Sequence, residues 1–405
     1  MQQIRTAKIQ IYPDERQKQL LLDTMRRYAD ACSYVSAYIY DHQLPLKQSL
    51  IHNQIYYYLR SAYDLPSQMS ASVIRTVIAS WKALETAKRE HSEKFRKNRQ
   101  KKQSPSDVLP EFKIPQLSLV WNRDYSLNAA KAVFSVGTLD GRVKVPFAEH
   151  GMEWAFADTS RFGTAKLVCK HGKFFLHVPV SCDVPDAPGA SEFANVVGID
   201  RGIRFLASCY DSKGRTAFYS GRQIKNKKAQ YKQVRKELQK RHTASARRRL
   251  KRIGQRENRW MNDVNHCVSK ALVESNPQHT LFVLEDLTGI RSATEKVKRK
   301  DRYILVSWSY YDLEEKLKYK ALKACDAVIS VNPAYTSQTC PRCGHVAKAN
   351  RNHRLHLFKC CNCGYTSNDD RIAAMNLQRM GIEYLLERQS DAVSVSNASE
   401  HNSDA

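Results

Sequence analysis

The chain has 405 residues, 42% of them hydrophobic, and carries 66 Lys and Arg against 40 Asp and Glu, a formal net charge of +26. That length suggests two or three domains with real cores, and the positive surplus points to a polyanionic partner, because each neutralised phosphate releases a counterion. No apolar run approaches the roughly 18 residues of a membrane span. The opening MQQIRTAKIQIYPDERQ lacks the apolar stretch of a secretory signal, and the cysteines form two CxxC pairs plus scattered singles, so the reading is a reduced, cytoplasmic protein with no membrane partner.

Residues 4–11 (IRTAKIQI) alternate as a strand does. A helical zone follows from about Glu15 to Lys101; its first helix places Leu20, Leu21, Met25, Tyr28 and Cys32 at helical spacing, and another after Pro66 carries Met69, Val73, Val77 and Trp81. That helix ends in KREHSEKFRKNRQKK, where Lys88, Arg89, Arg96, Lys97 and Arg99 suit a phosphate-tracking face at least as well as a solvated one. Residues 105–185 change character: short β-type runs (LSLVW, RVKVPF, TAKLVCK, FFLHVPVSC) separated by Gly, Asp and Asn predict a small β-barrel or sheet that completes the first strand. Cys32, Cys169, Cys209 and Cys267 stand among apolar neighbours and read as small core residues. Asp186–Ser191 (DAPGAS) reads as a linker.

From Asn195 a third region begins. NVVGID is a strand, RFLASCYDS a second, and GRTAFYSG a third in a hairpin with the second. Residues 224–275 are helical and strongly basic, with Lys232, Arg235, Arg247, Arg248, Arg249, Lys251, Arg252 and Arg256 among their cations and few acids at i±4 to pair them. At about 1.5 Å per residue such helices are long enough to follow a nucleic-acid backbone. TLFVLEDL is a core strand, Trp308, Tyr310, Leu313, Leu317, Ala321 and Ala324 mark an amphipathic helix, DAVISVNP is a strand, and a last helix runs from about Asp370 to Arg388. The tail from Gln389 has no periodicity and reads as disordered.

Three acids carry the chemistry. Asp200 and Glu285 stand at the ends of the apolar runs VVGID and LFVLE, and the third opens the last helix. Acids in that order are the order of a ribonuclease-H-like fold, in which two Mg²⁺ ions about 4 Å apart activate a water and stabilise the leaving oxygen of a phosphodiester; three carboxylates suffice, since Mg²⁺ keeps several waters. Asp369 and Asp370 compete for the third place. Asp370 shares a helical face with Ala373, Ala374 and Leu377, the buried side, which favours it and leaves Asp369 or Asn368 as the cap. Between the second and third acids Cys340, Cys343, Cys360 and Cys363 form CxxC, sixteen residues, CxxC, each pair followed by Gly, the spacing of a closed structural Zn²⁺ knuckle. Cys361 is a spare. The basic residues Lys348, Arg351, His353, Arg354, His356 and Lys359 surround this knuckle. The chain has no GxxxxGK[ST], GxSxG or HExxH.

VVGIDRGIRFLAS, LFVLEDLTGIR, WSYYDLEEKLKYKA, VNPAYTSQTCPRCG, FKCCNCGY and DDRIAAMNL follow the order and nearly the wording of the TnpB family, the RNA-guided nucleases of bacterial transposons, similar to compact type V CRISPR effectors. The resemblance is specific over residues 195–380 and looser over 1–190. It implies an α+β multidomain fold: a wedge β-barrel (1–12 and 105–190) interrupted by a helical recognition lobe (13–104), a RuvC-like nuclease domain (191–335 and 365–388), a zinc-ribbon insert that binds target nucleic acid (336–364), and a disordered tail (389–405). It implies Asp200, Glu285 and Asp370 as catalytic, Mg²⁺-holding acids, a transposon-derived guide RNA, a short duplex motif read beside the target, and cleavage of double-stranded DNA. Ile372 departs from the family, which usually has Asn there. A guide-directed repressor that no longer cuts, or a strand-transfer transposase, are the competing readings; the presence of all three acids argues against the first, and the basic helices and zinc insert against the second.

Overall fold

Asp14 opens the first helix with a reciprocal cap: its carboxylate accepts the Gln17 N–H at 2.8 Å, and the Gln17 side chain accepts the Asp14 N–H at 3.2 Å. The computed structural model describes residues 2–97, 109–148, 151–157, 159–202, 204–287, 310–352 and 354–400, with the backbone course alone for 90–97 and 392–400. The chain divides into two compact units, 1–183 and 184–405.

The first unit contains β1 (Gln2–Ile11), α1 (Glu15–Asp41), α2 (Gln48–Ala62), α3 (Ser67–Lys97), β2 (Gln116–Leu119), β3 (Tyr125–Asn128), β4 (Val133–Thr138), β5 (Gly141–Pro146), β6 (Arg161–Phe162), β7 (Ala165–Lys170) and β8 (Lys173–Asp183). Its strands pair antiparallel in two sheets, one ordered β1-β8-β7-β2 with β6 beside β8, the other β3-β4-β5. The sheets meet at a corner where the Tyr12 N–H donates to the Pro146 carbonyl at 2.8 Å. The expected wedge barrel is therefore corrected: among the described residues the strands do not close into a ring. The physical reason is that helices cover the face a barrel would turn inward. Ala7, Ile9 and Ile11 of β1 share one core with Leu21, Met25 and Tyr28 of α1 and Met69, Val73 and Val77 of α3. Cys32 belongs to that core, whereas Cys169 is half-buried.

The second unit contains β9 (Asn195–Asp200), β10 (Phe205–Tyr210), β11 (Thr216–Ser220), α4 (Arg222–Lys240), α5 (Ala244–Glu274), β12 (Thr280–Glu285), α6 (Tyr310–Lys323), β13 (Ala327–Val331), β14 (Arg351–Asn352), β15 (Leu357–Lys359), β16 (Thr366–Asn368) and α7 (Asp369–Glu400). The main sheet is ordered β11-β10-β9-β12-β13, with β10 antiparallel to both neighbours and β9, β12 and β13 mutually parallel. Period-two alternation splits each central strand between two layers. Val197, Ile199, Phe282 and Leu284 pack with Met261 and Leu272 of α5 and Leu313 and Leu317 of α6. Val196, Leu281 and Val283 face the other way, against Leu377 and Leu385 of α7.

Two glycines let α7 lie on the sheet. A Cβ at Gly198 would sit 2.0 Å from the Ala374 carbonyl oxygen, and one at Gly381 would sit 2.4 Å from a Val283 methyl. The helix also runs further than its sequence predicts. Instead of a tail disordered from Gln389, α7 continues to Glu400; the stretch has neither Gly nor Pro to stop it, and residues 401–405 lie outside the described residues. Cys267 is exposed on α5 rather than buried. Trp308 of the amphipathic pattern lies outside the described residues.

Candidate active site and metal centre

Strand register places two of the acids. Leu284 lies opposite Ile199 in the parallel β12–β9 pair, so Glu285 and Asp200 leave the same edge of the sheet side by side. By alternation each shares a face with the residues that meet α7: Val196 and Gly198 below Asp200, Leu281 and Val283 below Glu285. That helix brings the third. β16 runs without a loop into α7, and the Asn368 side chain caps it by accepting the N–H groups of Asp370 and Arg371 at 3.1 and 3.2 Å.

The two acids at this cap are used differently. Asp369 has a fully buried side chain, accepts from Arg351 Nε at 2.9 Å and lies 3.5 Å from His356 Nδ1. Asp370 stays 13% exposed, has Arg351 at 3.9 Å, and keeps one carboxylate oxygen, Oδ2, buried without a hydrogen-bond partner. The sequence choice between them thus meets a sharp structural difference: one acid is neutralised, the other is left open.

Crowding shows in the electrostatics. Burial, and then the carboxylates of Glu285 and Asp370, push Asp200 well above the usual carboxylate range. Burial raises Glu285 too, against the Thr336 hydroxyl, which donates to its Oε1 at 2.6 Å, and against Arg201 and Arg351. Asp370 is raised by burial and by Asp369, with Arg351 and His356 opposing. Glu285 and Asp370 stand near enough to raise Asp200, while the side chains whose ligand atoms lie within 4.8 Å of one another are His356, Asp369 and Asp370; carboxylates of this kind suit a hard divalent cation with oxygen ligands.

Supporting groups around the acids carried little signal in the sequence. Arg201, whose side chain is fully buried, donates to Glu314 at 2.9 Å and to the Glu285 carbonyl at 2.5 Å, tying the end of β12 to α6. Asn376 of α7 donates to the carbonyls of Thr336 and Thr339 at 2.7 and 2.8 Å, which fixes the segment whose Thr336 holds Glu285. Arg201 adjoins Asp200 in GIDRG and Asn376 ends AAMN, the only hints available before the fold is known.

The cysteines form a second centre. One Sγ from each of Cys340, Cys343, Cys360 and Cys363 lies within 4.8 Å of the others, with Cys340–Cys363 and Cys343–Cys360 both at 3.6 Å. Gly344 and Gly364 turn each pair at φ 73° and 70° and donate to the carbonyls of Cys340 and Cys360. The Cys343 thiol is pulled down to about 6, first by the N–H of His345. Cys363, despite the Tyr365 N–H that favours its thiolate, is pushed up to about 12 by desolvation and by the thiols beside it. Such a set ionises fully only around a cation, and four thiolates suit Zn²⁺. Cys361 is outside the cluster, bonded to Asn350. The three-stranded sheet β14-β15-β16 carries this centre and ends at Asn368, so the knuckle and the cap of Asp370 are one piece of chain.

The basic residues divide. Arg235 turns inward and pairs with the buried Glu257 at 2.5 Å, joining α4 to α5, which corrects its reading as a free phosphate ligand. Arg247, Arg248, Arg249, Lys251, Arg252 and Arg256 are exposed on α5, and Lys232 is half-buried on α4. Lys88 is half-buried and Arg89 exposed on α3; Arg96 and Lys97 lie on its backbone course with their side chains outside the described residues, and Arg99 and His353 lie outside altogether.

A family model described as Cas12f1-like, TNB domain, matches residues 310–377, and one described as a probable transposase matches 177–289. Together they cover both the two strand-borne acids and the cysteine knuckle. Over these segments the chain is similar to TnpB-like proteins and to compact Cas12f effectors. It is 35% identical over 144 residues to the CRISPR-associated endodeoxyribonuclease Cas12f1 of Sulfoacidibacillus thermotolerans, covering 34% of this chain and 32% of that one. It is 28% identical over 232 residues to the putative RNA-guided DNA endonuclease InsQ of Escherichia coli K12, covering 52% and 54%, and 35% identical over 129 residues to a TnpB-like protein of Methanocaldococcus jannaschii, covering 32% and 45%. The chain thus spans from a third to about half the length of these relatives. Among solved structures it is similar in fold to a Cas12f1–sgRNA–target DNA complex (TM-score 0.52, 14% identity, 93% of this chain and 99% of that one) and to the mini-RNA-guided endonuclease Cas_phi3 (TM-score 0.57, 11% identity, 94% and 92%). No helix among the described residues is long and apolar enough to cross a membrane.

Proposed function

We propose that the chain is an RNA-guided, metal-dependent DNA endonuclease that binds a transposon-derived guide RNA, reads a short duplex motif beside its target, and cuts double-stranded DNA in the bacterial cytoplasm. The observation that carries this is the meeting of Asp200, Glu285 and Asp370 at one edge of the sheet, in a chain whose relatives include proteins named as RNA-guided DNA endonucleases. On this reading the 184–405 unit is a RuvC-like, ribonuclease-H-type nuclease domain: an antiparallel hairpin followed by parallel strands, with acids at the ends of β9 and β12. The 1–183 unit supplies the wedge and the helical recognition lobe, and the cysteine-bearing sheet is a zinc-ribbon insert for target nucleic acid.

Asp200, Glu285 and Asp370 would hold Mg²⁺, and Cys340, Cys343, Cys360 and Cys363 would hold one structural Zn²⁺. Two bound Mg²⁺ ions would activate a water and stabilise the leaving oxygen of the phosphodiester. Everything else is done by side chains. Thr336 leaves Glu285 one oxygen free by occupying the other. Arg351 neutralises Asp369 and so leaves Asp370 the open acid of the pair. Arg201 fixes the backbone of Glu285, so the acids keep their separation when repulsion would spread them.

Expression, purification and sequencing of co-purified RNA test this. The protein is expected to carry RNA and, with Mg²⁺, to cut duplex DNA that matches it next to a short motif, while EDTA stops the cut. Binding of the matching DNA without any cut would put the guide-directed repressor in its place, and RNA-free protein that joins strands would put the transposase there.

A further inference from the structure

α4 and α5 do not pack flush. Arg235 and Glu257 clamp them at one level, and Gly254 on α5 lies 3.7 Å, measured from where its Cβ would stand, from that guanidinium. Beside this clamp a cavity of about 650 Å³ opens between the helices. Tyr231 and Val234 of α4 and Ile253 of α5, all half-buried, form its apolar part; Arg249, Arg252 and Arg256, exposed, line it from the same helix as Ile253. Those arginines recur at i, i+3 and i+7, so they stand in one row along the cleft. None has an acidic partner among the described residues, in contrast to Arg235. Tyr231 is held from behind by Trp260, ring centroids 6.4 Å apart, and Lys227 sits 4.4 Å over the Trp260 ring.

The shape decides the ligand class. Paired nucleic acid hides the faces of its bases in the stack and offers a protein ridge its phosphates, sugars and groove edges. A row of free guanidiniums alone would fit that. A cleft does not: its volume falls within the roughly 300–1,000 Å³ of pockets that enclose small ligands, and its apolar side chains with a positioned tyrosine have no base face to meet on a duplex. An unpaired nucleotide uses both kinds of side chain, with its base against Tyr231, Val234 and Ile253 and its flanking phosphates on Arg249, Arg252 and Arg256. The geometry points to the α4–α5 cleft as a receptor for a single unpaired nucleotide extruded from a bound strand. Arg247 and Arg248 do not line the cleft and keep the role of tracking the backbone outside it. This rests on the proposed nucleic-acid function but does not involve its acidic centre.

The test uses the full chain with Asp200→Ala, freed of bound RNA at high salt, and an RNA hairpin with one bulged 2-aminopurine, the same hairpin fully paired, and the DNA counterparts of both. The bulged strand is expected to bind about tenfold more tightly than the paired one, the effect of one stacked base, with its fluorescence quenched. A preference confined to RNA places the nucleotide in the guide, and one shared by DNA extends the site to target strand; both support the cleft. Tyr231→Leu should abolish the quench and the preference while Tyr231→Phe keeps them. Equal affinity for bulged and paired hairpins without quenching, or a quench that survives Tyr231→Leu, overturns the proposal. No cleavage is read, so a chain that never cuts DNA leaves this result standing, and a chain that cuts normally does not rescue it.

Discussion

Asp200, Glu285 and Asp370 crowd negative charge at a half-buried sheet edge, whereas Arg249, Arg252 and Arg256 space positive charge along one exposed helix face. The two regions show how burial changes what unpaired charge demands. At about 4 Å two like charges cost on the order of 4 kcal/mol at the effective dielectric near a protein surface, and about 1 kcal/mol in water. The acids therefore shift upward, and on the proposed function a small multivalent cation would offset their repulsion. The arginines repel one another weakly, and on the proposed function they would gain by displacing counterions from a long polyanion.

The strongest way to break the comparison is to remove an acid. Asp200→Ala, Glu285→Ala or Asp370→Ala should each lower cleavage by at least on the order of 10³-fold and leave nucleic-acid affinity unchanged, as read by parallel cleavage and binding assays. If Asp370→Ala cuts normally and Asp369→Ala does not, the open and neutralised acids have been assigned the wrong way round.

Next in size is the cysteine centre, which shares its sheet with the cap of Asp370. Cys340→Ser should lower zinc below one ion per chain and expose residues 336–368 to proteolysis, since structural zinc binding is folding energy. Cys361→Ser, bonded only to Asn350, should change neither. Protein purified without chelator that holds no zinc by elemental analysis would remove this centre from the account.

Gly198→Ala tests whether the acids depend on the close approach of α7. Its Cβ would land on helix backbone 2.0 Å away, which cannot rotate aside. The expected cost is about 3 kcal/mol, and cleavage should fall further than stability alone explains because Asp370 moves away from Asp200. Unchanged melting and cutting would mean that α7 packs elsewhere.

On the basic side, replacing Arg247, Arg248 and Arg249 together by Ala should weaken binding alike for every guide sequence. It should also flatten the slope of log affinity against log salt by roughly 0.7–0.9 for each phosphate that is no longer neutralised. A defect confined to some guides, with the slope intact, would show that these side chains read bases.

The smallest effect separates buried acid from catalytic acid. Burial pushes the Asp326 carboxyl up to about 6, although the Thr280 N–H that donates to it at 2.8 Å favours the ionised form. Its folded pKa is above the ordinary value, so its stabilising contribution is complete below about pH 4 and is lost as pH rises through 6. Asp326→Asn should then raise Tm by roughly 2 °C at pH 7.5 and change nothing at pH 3.5, by calorimetry. A gain equal at both pH values would rule out the carboxyl as its source.

Much of this was legible because local pattern and local geometry coincide. VVGID and LFVLE announce buried strands ending in acids, and the cysteine spacing with its glycines announces a knuckle, since turn and ligands lie within a few residues. Other features were not local. The barrel gave way to two sheets because α1 and α3, far along the chain from β8, cover the apolar face. Arg235 reads like any lysine or arginine of its helix until Glu257, 22 residues away, is seen to neutralise it. The run from Gln389 lacks an apolar stripe, so periodicity cannot report that α7 continues through it.

The amino-acid sequence by itself singled out the acids and cysteines proposed for the two centres and determined the strands that lead to them, because these follow from residue type and short-range spacing. Only the tertiary structure decided that Asp369 is neutralised and Asp370 open, that Thr336 and Arg201 hold Glu285, and that three of the many arginines face a cleft. Those outcomes depend on pairings between chain segments tens of residues apart, whose energies exist only once β9, β12, the knuckle and α7 have packed together.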